Sequence, residues 1–404
     1  MNQEKYCLSL RENSDIIGGK KRKAEERNVE RQKENLELLE QMVAIPSVSG
    51  KERQLALFLK EYLFRMGVNA RITDITETSS NLTAEICFGD SPQRIMLGGH
   101  LDTVPPAQGW KTDPFQVVYE GDRALGLGTC DMKGGLAAQI TVLHQMLQEG
   151  TDFKGTVLLA AVADEEAFSA GANRLAAEMP KADLAILGEP NFENVVTAAN
   201  GKGLITLRVT GVGGHAARPE TGVNAVNAMA VLLEKLEQYY RRRYEAGECG
   251  AYCPLRVWSD YPGYSLNIPD RCQALVNKQL MTGEDLEEFI GKAEEIFKEN
   301  RIPGKLEVIR EELWYPSYVL DTQQKDVKQF LDFLRGEGHY FYESRDESVS
   351  DANIFVKICH IPAVLFGPRG DNLHGAGEYV VVSSLEKYRK YLLNYFQMLG
   401  KIGE

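Results

Sequence analysis

The chain has 404 residues, of which 43% are hydrophobic and 26% charged, and its formal net charge at pH 7 is −12. The length predicts two or three domains, and the ordinary composition excludes collagen, coiled-coil and disordered proteins. The sequence has no run of about 20 apolar residues, which a membrane span requires. The negative net charge disfavours nucleic acid and anionic membranes as the main partners.

The cysteines and the first residues bear on the cellular compartment. The seven cysteines form no Cys-x-x-Cys pair, which disfavours a cysteine zinc site and predicts reduced thiols in a cytoplasmic protein. The first ten residues contain no apolar stretch with a cleavage site, so we expect no secretory signal. Residues 1–33 carry nine Lys or Arg and six Asp or Glu, which predicts a basic leader, helical or frayed, without a function of its own. A nucleic-acid or localisation patch at residues 20–23 is the alternative.

The first predicted element is an amphipathic helix over about 51–66, whose apolar residues repeat at helical spacing. Short apolar runs at 95–97, 157–163 and 184–187 then alternate with helices. Buried strands in this alternation predict an α/β fold with a mostly parallel sheet flanked by helices. Each run leads directly into polar residues, and the chemistry of such sheets gathers at the carboxyl ends of the strands.

The pattern changes from about residue 200, where a strand, a long helix over 222–243 and further strands predict an inserted α+β domain. Alternating helices and strands resume after Tyr315-Pro316 and end in a helix over about 384–398. We therefore predict a catalytic domain in two pieces, 34–198 and 317–404, that is interrupted by a smaller domain over 199–316.

Two histidines and five carboxylates lie just past the predicted strands. His100 and Asp102 form a His-x-Asp pair, and in extended chain such side chains point the same way. Each residue alone has an ordinary explanation, such as a helix cap or a solvated turn. Together at the ends of one sheet they predict a metal site, and a His/carboxylate set without Cys suits zinc. The other members are Asp131, Glu165, Glu166, Glu189 and His374.

Five segments carry a resemblance to a known family. In chain order they read GHLDTVPP, GTCDMKGG, ADEEAFSAGA, LGEP and HGAGEY. The chain from about residue 34 to 404 resembles the zinc-dependent deacylase and exopeptidase family that includes acetylornithine deacetylase, succinyl-diaminopimelate desuccinylase and glutamate carboxypeptidase. The resemblance implies that the inserted domain is a ferredoxin-like lid through which two chains form a homodimer.

The resemblance also implies roles for individual residues. His100, Asp131 and Glu189 would bind one Zn2+, and Asp131, Glu166 and His374 would bind a second, with Co2+ or Mn2+ as alternatives. Asp102 would orient His100, and Glu165 would be the general base. His215, in GVGGHAARPE, would serve the site of the partner subunit, and Asn267 would contact the substrate. The peptide bond between Asp131 and Met132 is expected to be cis.

The predicted activity is hydrolysis of an amide bond in an N-acyl amino acid or short peptide. Two metal ions activate a water and polarise the carbonyl, and a carboxylate beside them transfers the proton. The motifs do not separate a deacylase from a dipeptidase or carboxypeptidase, because these enzymes use the same metal site. A metal-binding scaffold without activity is disfavoured, since Glu165 and all five ligands are present.

The chain departs from its relatives at one position. In many of them the strand after the Asn-x-Pro segment ends in an Arg that grips the substrate carboxylate. Here that position falls at or beside Gln279, preceded by Lys278, and a neutral amide cannot supply the charge. We expect that Lys278, Arg218 or Arg369 takes over, or that carboxylate recognition is weaker and the acyl group decides preference.

Overall fold

The computed structural model of the chain describes residues 27, 29–259 and 266–402. They form two compact units. The first extends to Val195 and includes Gln323–Tyr342 and the chain from Val364 onward, whereas the second comprises Val196–Thr322 and Glu343–Ala363. The basic cluster at residues 20–23 lies outside the described residues. Residues 29–33, predicted as the end of the leader, already belong to the first helix.

The helices follow the local sequence signals. In the helix predicted over 51–66, buried Leu55, Leu59 and Leu63 repeat every four residues. Asn224 and Asp285 cap two helices of the second unit by accepting backbone N–H groups. The helices of the described residues are α1 (29–43), α2 (Arg53–Arg65), α3 (Lys133–Glu149), α4 (Ala170–Ala176), α5 (Ala225–Glu245), α6 (Leu286–Glu299), α7 (Lys325–Gly336), α8 (Asp351–Lys357) and α9 (Val382–Ile402).

The strand bounds differ by a few residues from the apolar runs that predict them: β3, for example, covers Arg94–His100 where the run covers 95–97. The strands are β1 (Arg71–Asp74), β2 (Ser80–Cys87), β3 (Arg94–His100), β4 (Val118–Glu120), β5 (Arg123–Leu125), β6 (Thr156–Val162), β7 (Leu184–Leu187), β8 (Asn194–Ala199), β9 (Gly201–Thr210), β10 (Tyr252–Trp258), β11 (Arg271–Leu280), β12 (Lys305–Tyr315), β13 (Tyr318–Val319), β14 (Tyr342–Asp346), β15 (Ala363–Leu365), β16 (Gly370–Asp371) and β17 (Tyr379–Val381).

The main sheet of the first unit is mixed. Its order is β1-β2-β6-β3-β7-β15, and β3 runs parallel to both β6 and β7. β2 is antiparallel to both β1 and β6. A short turn joins β1 to β2, and such a connection favours an antiparallel pair. The α/β fold is therefore confirmed, while the prediction of a mostly parallel sheet is wrong at this edge. β3, β6 and β7 are almost completely buried, and α3 packs on β3.

A smaller antiparallel sheet in the first unit has the order β16-β17-β5-β4. Tyr379 of β17 pairs with Leu125 of β5. This pairing places the segment after β16, which contains His374, beside the glycine-rich segment that leads to Asp131. Two parts of the chain about 250 residues apart are thereby fixed side by side.

The second unit has an α+β fold. Four of its strands form a sheet with the antiparallel order β10-β11-β9-β12, and α5 and α6 cover one face of this sheet. Alternate residues of β11, among them Ala274 and Val276, are buried against these helices. The unit begins near the predicted boundary at 199, but it also includes Glu343–Ala363, which the sequence analysis assigns to the catalytic domain.

Two further expectations concern cysteines and membranes. The six cysteines among the described residues are all free thiols. None of the described helices combines the length and the apolar character that crossing a membrane demands.

The contact between α3 and the end of β7 predicts a stability effect. A Cβ atom at Gly135 would lie 1.9 Å from the Gly188 carbonyl oxygen, next to Glu189. Gly135→Ala should therefore lower the free energy of unfolding by about 1–3 kcal/mol, because backbone must shift. Gly291→Ala in α6 is the matched control, since a Cβ there meets nothing within 4 Å and alanine favours helix by about 0.5–1 kcal/mol. Chemical denaturation measures the free energy of unfolding of both variants. An equal change in the two would contradict this packing.

Candidate metal centre

Three parallel strands bring the predicted ligands to one edge of the sheet. His100 is the last residue of β3, Glu166 follows β6 and Glu189 follows β7. Because β3 pairs in parallel with both neighbours, their carboxyl ends meet. His100 is 1% exposed and Glu189 8%, whereas the His374 side chain is 52% exposed, so the site is buried at the β3 and β7 side and open at His374.

Asp131 lies between the two histidines, just before α3. Its Oδ1 atom is 3.1 Å from His100 Nε2, and its Oδ2 atom is 3.3 Å from His374 Nε2. The two oxygens of one carboxylate thus face different imidazoles, as a bridging ligand requires. The peptide bond between Asp131 and Met132 is cis, as predicted.

The remaining carboxylates divide into two groups around Asp131. Glu189 Oε1 is 3.8 Å from His100 Nε2, whereas Glu166 Oε2 is 3.0 Å from His374 Nε2. Ligand atoms of His100, Asp131 and Glu166 lie within 4.8 Å of one another. Around tetrahedral zinc, with bonds of about 2.0–2.2 Å, ligand atoms lie about 3.3–3.6 Å apart. The residues therefore fit two metal ions that share Asp131.

The carboxylates of the site raise the pKa values of both histidines. Hydrogen bonds to Asp131 and Glu166 raise the pKa of His374 to about 10. Burial opposes a charge on His100, but Glu189 and Asp131 outweigh it and hold its pKa well above the ordinary value. A histidine binds metal as the neutral imidazole, so metal binding would release the protons that these carboxylates favour.

Asp102 does more than the sequence analysis assigns to it. Its Oδ1 atom lies 3.5 Å from His100 Nδ1, but the nearer partner of that nitrogen is the Asp102 carbonyl oxygen, at 2.9 Å. The buried carboxylate also accepts the backbone N–H groups of Glu165 and Glu166, each at 3.0 Å, and the Ser49 hydroxyl at 2.8 Å. Asp102 therefore fixes the segment that carries the predicted general base, Glu165, and the predicted metal ligand Glu166.

Glu378 is a residue of the site to which the sequence analysis gives no role. It is 1% exposed, and its carboxylate accepts the backbone N–H groups of Gly128, Cys130 and Asp131. Burial raises its pKa to about 7, although these hydrogen bonds favour the charged form. The only sequence signal is its place in HGAGEY, four residues after His374.

The second unit holds His215 and Asn267, which the structure brings together as partners of an isolated antiparallel β-bridge. The His215 side chain is exposed, and its Nδ1 atom accepts the Ala217 N–H at 3.1 Å. An acceptor at Nδ1 leaves the proton of the neutral ring on Nε2.

The three candidate cations differ in their surroundings. Lys278 is buried on the helix-covered face of β11, where its Nζ atom contacts Glu284 Oε1 at 2.9 Å and the Gly250 carbonyl oxygen at 3.0 Å. We therefore do not propose Lys278 as a carboxylate ligand. Arg369 pairs with Glu193 at 2.9 Å in the first unit. Arg218 is exposed, three residues after His215.

A model of the peptidase family M20/M25/M40 matches residues 96–398, which is three quarters of the chain. The chain belongs to this family. It is accordingly a hydrolase that acts on amide or peptide bonds, and the predicted kinship with acetylornithine deacetylase and its relatives is confirmed.

Similar proteins include both deacylases and peptidases. Acetylornithine deacetylase of Photorhabdus laumondii is 28% identical over 378 residues, which cover 88% of this chain and 95% of that protein. A tripeptidase structure from Staphylococcus aureus has a TM-score of 0.75 at 21% identity and covers 92% of this chain and 99% of its own. A dinuclear metal-binding M20 peptidase from Bacillus subtilis has a TM-score of 0.70 at 14% identity, with 92% and 99% covered. The two structures show that this chain shares the M20 fold.

The contacts of Asp102 predict a loss of metal affinity on substitution. Asp102→Asn should weaken metal binding about 10–100-fold, because the amide presents an NH2 group to a backbone N–H and the segment of Glu166 moves. Competition with a chelator measures the affinity. Ser49→Ala is the control, because it removes one donor to Asp102 and leaves both backbone N–H groups in place. This variant should lose much less metal affinity than Asp102→Asn. Unchanged affinity in Asp102→Asn would contradict this role.

Proposed function

We propose that this M20 hydrolase cleaves the amide bond of an N-acyl amino acid, with two zinc ions held by the five ligands and Glu165 as general base. The observation that carries the proposal is the Asp131 carboxylate, whose two oxygens face separate histidines. The 28% identity to an acetylornithine deacetylase over 95% of that protein supports the N-acyl amino acid class. Cobalt or manganese are alternative metals.

The two adjacent glutamates divide the work. The Glu166 carboxylate contacts His374, so we assign Glu166 to the metal and Glu165 to proton transfer. Two bound ions would polarise the amide carbonyl and lower the pKa of a water. Glu165, held through its N–H by Asp102, would accept the proton of that water and deliver it to the leaving nitrogen.

His215 and Asn267 complete the proposed mechanism from the second unit, which we propose is the ferredoxin-like lid. With Nδ1 accepting the Ala217 N–H, the proton on Nε2 can be donated to the oxyanion that forms at the substrate carbonyl. Asn267, the bridge partner of His215, would contact the substrate beside it.

We further propose that the lid forms a homodimer, in which His215 serves the site of the partner subunit. β10 lies at the end of the four-stranded sheet, and Leu255 and Val257 on it are 56% and 51% exposed. An exposed apolar strand at a sheet edge is a template for pairing with a second chain. The free thiols support the cytoplasmic location that we propose.

Substitution of each glutamate should separate the two roles. Glu165→Gln should retain both metals and lose roughly 10²–10⁴-fold in kcat, because the proton acceptor is gone. Glu166→Gln should lose one metal site, because a charged ligand is gone. Elemental analysis after dialysis, together with turnover, measures both. Equal metal loss in the two variants would show that the roles are wrongly assigned.

A substrate panel tests the activity itself. We expect N-acetyl and N-succinyl amino acids to be cleaved with kcat/KM about 10-fold or more above that of dipeptides and tripeptides. The reverse order would replace the deacylase by a peptidase that uses the same metals. Bound metal without turnover of any substrate would favour a scaffold without activity.

Arg218 is the residue that we propose for binding the substrate carboxylate. Arg218→Ala should raise KM for a free-acid substrate roughly 10–100-fold and leave its methyl ester unchanged, because a guanidinium–carboxylate contact is lost. Arg369→Ala is the matched control, since that guanidinium pairs with Glu193. A preference for the free acid that survives in both variants would place carboxylate recognition elsewhere.

A further inference from the structure

We propose that Glu378 is a positioning residue for the bridging ligand: its carboxylate holds the backbone of Asp131 so that the two Asp131 oxygens stay aimed at His100 and His374. The inference rests on the metal-dependent function proposed above. It concerns a side chain whose carboxylate accepts backbone N–H groups of the loop that ends at Asp131.

The contacts of Glu378 converge on one loop. Oε1 accepts the N–H groups of Cys130 and Asp131, each at 3.0 Å, and Oε2 accepts that of Gly128 at 2.9 Å. The Glu378 carbonyl oxygen accepts a fourth, from Gly126, at 3.0 Å. Hydrogen bonds from N–H groups to a carboxylate are stronger than those between neutral groups. The loop before Asp131 is therefore fixed to residue 378 by four bonds.

The loop has the shape that such an acceptor requires. Gly128 has φ +78, which L side chains rarely adopt, and a Cβ atom there would lie 2.6 Å from Thr103 Cγ2. This conformation turns successive N–H groups toward one point and forms an anion-binding concavity. Glutamate fills it with two acceptor oxygens, whereas glutamine supplies one oxygen and an NH2 group that faces N–H donors.

The position of Glu378 also links Asp131 to His374. Both His374 and Glu378 lie on the segment 372–378, which is braced by hydrogen bonds from Gly375 N to Asn372 O and from Asn372 Nδ2 to Gly377 O. One braced segment thus supplies a ligand of the second metal and the group that fixes the bridging ligand. Burying a carboxylate is costly unless it is well bonded. Here the bonds are to the loop that ends at Asp131.

The test compares two buried carboxylates of the first unit. Glu378→Gln should raise the metal dissociation constant about 10–100-fold, measured by chelator competition, and should lower kcat with KM changed less than about 3-fold. Glu386→Gln is the control, since Glu386 is buried and its carboxylate accepts two hydrogen bonds from Arg389 at 2.8 Å. It should lower the melting temperature with metal affinity unchanged. If Glu378→Gln does not fold, Glu378→Asp replaces it. Aspartate is too short to reach all three N–H groups, so this variant should also bind metal more weakly in chelator competition.

Two results would overturn the inference. One is wild-type metal affinity in Glu378→Gln, or in Glu378→Asp where only that variant folds. The other is an equal loss of affinity in Glu386→Gln at an equal loss of melting temperature, which would make the effect a matter of global stability. If the wild-type chain binds two metals and cleaves no N-acyl amino acid, the proposed function fails, and the affinity comparison still decides the role of Glu378.

Discussion

The carboxylate of Asp131 faces two imidazoles at once, and most of the surrounding structure serves to keep it there. Each oxygen approaches a different ring, at 3.1 and 3.3 Å, and each ring has a further carboxylate as neighbour. Two metal ions can share Asp131 only while its side chain holds this orientation. The orientation depends on the backbone before α3, so the properties of the site depend on what fixes that backbone.

Two buried carboxylates fix backbone segments of the site in the same way. Asp102 accepts the N–H groups of Glu165 and Glu166, and Glu378 accepts those of the loop that ends at Asp131. In both cases a buried carboxylate accepts two or more backbone N–H groups. Hydrogen bonds of this kind favour the charged form of a carboxylate, and carboxylates around the site favour the binding of cations. The same groups that order the backbone therefore also prepare the site for metal.

The sequence analysis locates the predicted ligands because each lies where a strand or a glycine-rich turn ends, and strand ends can be located from apolar runs. Partners distant in the chain are harder to find. Glu378 contacts N–H groups of residues about 250 positions earlier, and no local pattern indicates such a contact. Lys278 is one of three candidate cations for the substrate carboxylate, but alternation along β11 turns it toward α5 and α6, where Glu284 pairs with it. The antiparallel edge formed by β1 and β2 was also missed, because β1 is short and largely polar.

Metal counting in Asp131→Ala tests the central claim most directly. Wild-type protein and the variant are dialysed against the same low concentration of zinc, and bound zinc is measured per chain by elemental analysis. We expect about two ions per chain in the wild type and less than one in Asp131→Ala, because removing a shared ligand damages both sites. Two ions per chain in the variant would show that Asp131 does not bridge the metals and would contradict the account.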